Sequence, residues 1–179
     1  MHGAAGLALW FGHAPGTAIL AVAPMSHIAG LANSANCAIL AGETLVPRPG
    51  IRLVTAPLNH PNGATGYRVE YAGKSVCYVT DTEHRKEGRD PVVLELVRGA
   101  DILICDSTYT DAEYPKFVGW GHSTWQEGVR IADAAGVGQL VLFHHDPTHD
   151  DEVMAQIEAA AAAARTGTVA AREGLVLEA

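Results

Sequence analysis

Two aspartates and two histidines stand where apolar runs of this chain stop, so a folded sheet would bring their side chains to its edge, and a third histidine stands beside a helix start. Asp81 closes the run from Ser75, Asp106 closes Ile102 to Cys105, and His144 follows Leu140 to Phe143 with His145 and Asp146 behind it. His60 follows the run from Ile51 through Pro57, and His122 precedes a capping signature, Ser123 with Gln126 three residues on. Imidazole and carboxylate groups can ligate divalent cations or pass protons, and both chemistries are open to this set. A serine or cysteine nucleophile fits less well, because neither Ser123 nor Cys105 has a histidine and an acid at a telling spacing.

The elements that must carry these groups read from Ile51 onward as alternating strands and helices. Ile51 to Ala56 is a strand leading to His60, with Gly63 and Gly66 allowing sharp turns beyond it. Tyr67, Val69 and Tyr71 alternate with Arg68 and Glu70, and Ala72-Gly73-Lys74 turns the chain into the partner strand, Ser75 to Thr80. Thr82 to Asp90 reads as a charged loop in which Glu83 and His84 are solvated, and Pro91 opens a short helix ending near Gly99. The loop from Tyr109 to Gly121 holds Tyr109, Tyr114, Phe117 and Trp120, which either line a pocket or pack over the sheet edge. Ser123 predicts a helix running to Gly136 as its C′ glycine, and Thr148 predicts another from about His149 to Arg165. Thr168 to Ala171 and Gly174 to Leu177 read as two short final strands.

A chain of 179 residues, 48% hydrophobic, can bury one ordinary core. Its formal charge of -8 argues against broad affinity for nucleic acid or a membrane surface, while leaving room for a metal site that grips phosphate locally. Of its basic and acidic residues only Arg48 and Glu43 precede Ile51, so residues 1–50 read as an irregular apolar segment apart from 51–179. Its best apolar run, Thr17 to Ala23, is too short to span a bilayer, and the absence of an early Lys or Arg disfavours a secretory signal. Cys37, Cys77 and Cys105 have no pairwise metal spacing and read as buried thiols in a reducing, cytoplasmic setting.

The segments NHP with GYRVEY, YVTDTE, ADILICDSTY, GHSTWQEGVRIADAAGV and LVLFHHDP, in this order, resemble the C-terminal half of a metallo-β-lactamase-fold hydrolase, in the phosphodiesterase branch that includes tRNA 3′-processing endonucleases. The resemblance implies an α/β fold, the four-layer αββα sandwich, incomplete on its N-terminal side. It implies hydrolysis of a phosphodiester, in a small molecule or an RNA end, by hydroxide held on two divalent metal ions, zinc first with manganese or iron as substitutes. His60 would serve one ion, His144 the other with His145 as the competing choice, and Asp81 would bridge them. Asp106 with His122 would be the pair that protonates the leaving group, Asp106 standing where related endonucleases carry Glu. The family's HxHxDH motif is absent: His2, His13 and His27 stand apart, and Ser26 occupies the place of its Asp. A truncated or degenerate half-domain that binds a partner is therefore the alternative, and an open half implies self-association or a completing chain.

Overall fold

Runs of branched and aromatic residues, cut by turn residues, build the sheet that carries the candidate groups. The computed structural model describes residues 18–20, 44–46 and 50–179, and the chain divides into two units, Met1–Arg52 and Leu53–Ala179. In the first, β1 (Ala18–Leu20) pairs in parallel with β2 (Thr44–Val46). His2, His13, His27 and Cys37, and most of the apolar run from Thr17, lie outside the described residues.

From Arg52 on, the strands are β3 (Arg52–Leu58), β4 (Ala64–Tyr71), β5 (Lys74–Val79), β6 (Ile102–Asp106), β7 (Gln139–Phe143) and β8 (Val169–Ala170). They form one six-stranded sheet in that order. β4 and β5 make an antiparallel hairpin, while β5 to β8 run parallel, with Val79 opposite Cys105 and Asp106 opposite Phe143. Parallel pairing sends the C-terminal ends of β5, β6 and β7 to one edge, so Asp81, Asp106 and His144 leave the sheet together.

Three helices supply the crossovers: α1 (Pro91–Val97), α2 (Trp125–Ala135) and α3 (Asp151–Ala164). Alternate strand residues, Cys77 and Val79, Leu103 and Cys105, Leu140 and Leu142, pack with Val93, Val97, Ile131, Ala132, Ile157 and Ala161 in one core. Among the described residues no helix is long and apolar enough to cross a membrane.

Three local expectations shift. Thr124, not Ser123, caps α2, its hydroxyl accepting the Glu127 N–H at 3.1 Å, because Ser123 is drawn into the site below. Asp150, not Thr148, caps α3, accepting the Val153 N–H at 2.9 Å, while Thr148 turns its N–H and hydroxyl to Asp146. The segment from Gly174 to Leu177 forms no strand, and the Leu175 N–H instead closes a turn on the Arg172 carbonyl at 3.1 Å. Gly136 does end α2 in the left-handed conformation, at φ 66°.

One glycine here is a matter of space. A Cβ on Gly138 would stand 2.7 Å from the Asp101 carbonyl oxygen, whose residue is already tied to the β7 entry by the Gln139 N–H at 2.8 Å. Gly138→Ala is expected to cost about 1–3 kcal/mol, the usual scale of overpacking, in a urea denaturation. A loss below about 0.5 kcal/mol would mean that the α2–β7 turn has room to move.

Candidate active site

Asp106 is fully buried at the end of β6, and its two oxygens gather the surrounding loops. Oδ2 accepts the Asp81 N–H at 2.8 Å and the Thr82 N–H at 3.4 Å, and Oδ1 accepts the Ser123 N–H at 3.0 Å and the Thr108 N–H at 3.3 Å. The Thr108 hydroxyl lies 2.9 Å from Oδ1, and His122 Nδ1 lies 3.1 Å from Oδ2. A carboxylate so surrounded by donors is occupied. Asp106, His122 and His144 have ligand atoms within 4.8 Å of one another, yet Asp106 has little lone-pair capacity left for a cation.

An ionised carboxylate only accepts, so His122 presents Nδ1–H to Asp106 and leaves Nε2 free to carry or yield a second proton. The hydrogen bond to Asp106 raises the His122 pKa above the ordinary histidine value, against the lowering effect of burial. The ring therefore holds a transferable proton over a wider range of pH than a free histidine.

Asp81 and His144 both take the left-handed backbone conformation, φ 59° and 61°. Non-glycine residues at positive φ are uncommon and gather at functional sites, where surrounding structure holds them in place. Here the constraint is visible: the Asp81 N–H is fixed on Asp106, and the His144 carbonyl is 2.7 Å from the Thr108 hydroxyl. His144 Nε2 then faces Asp81 Oδ1 at 3.7 Å. Thr108 Oγ1 is also 3.1 Å from His144 Nδ1. Its single hydrogen can go to the carbonyl or to Asp106, both acceptors only, which leaves its lone pair for Nδ1–H and the Nε2 lone pair of His144 bare.

His60, Asp81 and His122 form a second group with ligand atoms within 4.8 Å of one another, so His122 belongs to both. Borderline imidazole donors with one carboxylate suit a zinc-type cation. The chemistry of His60, Asp81 and His144 fits such an ion, since Asp81 keeps acceptor capacity that Asp106 lacks: its one side-chain donor here is Thr80 Oγ1, at 3.1 Å. His60 is the least prepared of the three. Its Nδ1 accepts the Asn62 N–H at 3.2 Å, which puts the ring proton on Nε2, so ligation through Nε2 requires that proton to leave.

All five residues anticipated from the sequence thus converge, and the structure adds others. Thr82 to Asp90 is a loop whose residues 85–89 are exposed, but Glu83 and His84 are not solvated as its charge suggests. The Glu83 carboxylate meets Tyr114 Oη–H at 2.6 Å and the N–H groups of Gly119 and Gly121, and His84 Nδ1 is 2.9 Å from Ser123 Oγ while its ring lies on Tyr114. Burial alone would raise the Glu83 pKa, but these donors hold it below the ordinary value. Asp90 is buried as the α1 cap and pairs with Arg85. His145 turns to the Ala171 carbonyl at 3.3 Å, and burial lowers its pKa. Of the loop aromatics, Tyr109 is buried and stacks on Phe117 at 4.3 Å, whereas Trp120 is 62% exposed, so packing claims one end of the loop and solvent the other.

A mixed sheet with helices packed on it, carrying imidazole and carboxylate groups at its strand ends, defines a metallo-β-lactamase-fold domain. The chain belongs to the beta-lactamase superfamily domain family, whose model matches residues 11–145 and so takes in much of the segment before Ile51. It is 38% identical to a ribonuclease Z of Brevibacillus brevis over 80 residues, 45% of this chain and 24% of that protein. The metallo-beta-lactamase fold protein YhfI from Bacillus subtilis superposes with a TM-score of 0.59 at 18% identity, covering 77% of this chain and 57% of that one. Human tRNase Z, short form, gives 0.56 at 21% identity, covering 75% and 45%. The matched stretch spans about a quarter of the length of the ribonuclease Z relative.

Proposed function

We propose that this chain is a metal-dependent hydrolase of phosphodiester bonds, with His60, Asp81 and His144 holding the metal and the Asp106–His122 pair handling the leaving group's proton. The observation that carries the reading is the 3.1 Å contact between a fully buried Asp106 and His122 beside the Asp81–His144 pair. The name of the ribonuclease Z relative supports RNA, or a small molecule with the same linkage, as substrate.

A bound divalent ion supplies nucleophilic water at neutral pH and offsets charge on the phosphoryl oxygens. The chain does the rest. Asp81, the carboxylate of the set with acceptor capacity to spare, would serve both ions, with His60 on one and His144, whose Nε2 is 3.7 Å from Asp81 Oδ1, on the other. His122 donates from Nε2 to the departing alkoxide, while Asp106 holds its tautomer and stabilises its charge. Zinc suits the donor set best, with manganese or iron as substitutes. Each ion would have fewer protein ligands from these residues than the three or four of a stable zinc site, so further ligands come from elsewhere in the polypeptide or from a completing chain. Cys77 and Cys105 are free and buried, with the Cys77 thiol pushed up to about 11 chiefly by burial, which suits a reducing compartment such as the cytoplasm.

Metal analysis after dialysis tests the site, with the His60→Ala, Asp81→Ala double variant alongside. About two equivalents in the wild type, lost in the variant, is the expected result. Absence of bound metal in the wild type would leave a half-domain that needs a completing chain to bind metal, and equal content in both would remove His60 and Asp81 as ligands.

A further inference from the structure

Glu83 is none of the five candidate ligand and proton-transfer groups, yet it joins the two loops that carry two of them. We propose that Glu83 is a positioning residue that fixes His60 relative to His122 by clamping the loop ending at Gly121 against the loop beginning at Asn59. On one side its backbone exchanges hydrogen bonds with Asn59: Glu83 N–H to the Asn59 carbonyl at 2.8 Å, and Asn59 Nδ2 to the Glu83 carbonyl at 2.8 Å. On the other its carboxylate takes Tyr114 Oη–H at 2.6 Å, the Gly119 N–H at 2.9 Å to both oxygens, and the Gly121 N–H at 3.1 Å. Every group facing the carboxylate is a donor, so the site calls for an acceptor-only side chain. A glutamine would set its own N–H₂ against one of them.

The clamp reaches the imidazoles through Gly121. This residue has φ 89°, and a Cβ there would lie 2.2 Å from His60 Cδ2 and 2.8 Å from its Nε2, so the backbone beside His122 is seated directly on the His60 ring. The two rings stand 5.8 Å apart, centroid to centroid. Asn59, His60, Glu83, Val118 and Gly119 line one open cavity of about 630 Å³, and Glu83 ties its two walls together. A carboxylate outside the candidate ligand set thereby sets both the width of the cleft and the separation of a candidate ligand from the candidate proton donor.

The consequence for turnover rests on the phosphodiesterase reading, but the clamp itself is testable in the metal-free full chain. In Glu83→Gln, amide exchange at Gly119 and Gly121 should rise on the order of ten-fold or more, and the His60 and His122 ring resonances should move, while Leu103 and Leu140 amides keep their rates. Tyr114→Phe removes one donor and should give the same pattern with smaller amplitude, which covers the case of a poorly folded Glu83→Gln. Protected Gly119 and Gly121 amides, unmoved ring resonances, or core amides that accelerate equally in both variants would each overturn the clamp. With a diester substrate, Glu83→Gln should lower kcat about ten-fold and leave KM within about two-fold, the split expected when a transition-state contact is misaligned. A wild type that hydrolyses no diester but shows the exchange pattern overturns the proposed activity and supports the clamp.

Discussion

Asp106→Ala is expected to lower folding stability by about 3–5 kcal/mol, the range seen when a buried charged hub is removed and its partners are left behind. The reasoning is a count of orphans. Asp81, Thr82, Thr108 and Ser123 all direct backbone N–H groups at this side chain, and all of these contacts except that of Asp81 are buried. A buried donor without a partner costs about 1–3 kcal/mol, and an alanine methyl accepts nothing. Asp106→Asn keeps the shape and one acceptor oxygen, so its loss should be smaller. Urea denaturation of the three proteins measures both. A cost below about 1 kcal/mol for the alanine variant would mean that water replaces the carboxylate and that the strand-end loops do not depend on it.

His122→Ala should separate chemistry from folding. The ring is part-buried and contributes one hydrogen bond to Asp106, which keeps its backbone partners without it. Diester turnover is expected to fall about 10²–10⁴-fold, the usual contribution of a positioned general acid, with a small change in melting temperature. The pH dependence follows in sign. Asp106 raises the His122 pKa, so the donating form persists below that raised value and turnover should decline as pH rises through it. The same linkage makes the His122–Asp106 contact stabilising below the unfolded histidine pKa, a contribution lost as pH rises through the folded value. Turnover in His122→Ala within a factor of about three of wild type would remove this residue from proton transfer.

The strand ends were legible because apolar runs stop abruptly at Asp81, Asp106 and His144, and parallel pairing then carries those ends to one edge. What failed were judgements that depend on partners distant in sequence. Ser123 has the right neighbours to cap a helix, but its N–H is claimed by Asp106, seventeen residues back, and its hydroxyl by His84, so the cap passes to Thr124. Glu83 sits among charges and reads as solvated, whereas its donors come from residues 31 to 38 positions on. Composition reports a residue's own preference; it carries no record of who will arrive. The tautomers of His122 and His144 were illegible for the same reason, being set by Asp106 and Thr108 across the sheet edge.

The parallel order of β5, β6 and β7 also sets a schedule. Each of these strands must wait for a crossover helix before its neighbour can pair, and such non-local pairing is slow to form. During synthesis the hairpin of β4 and β5 emerges before the parallel strands, with His60 and Asp81 at its borders, and β6 then brings the carboxylate that receives the Asp81 N–H. His144 comes only after α2 and β7 are made. On the proposed assignment a nascent chain therefore lacks His144 until α2 and β7 have been made, so these strand ends meet only after the parallel sheet has formed.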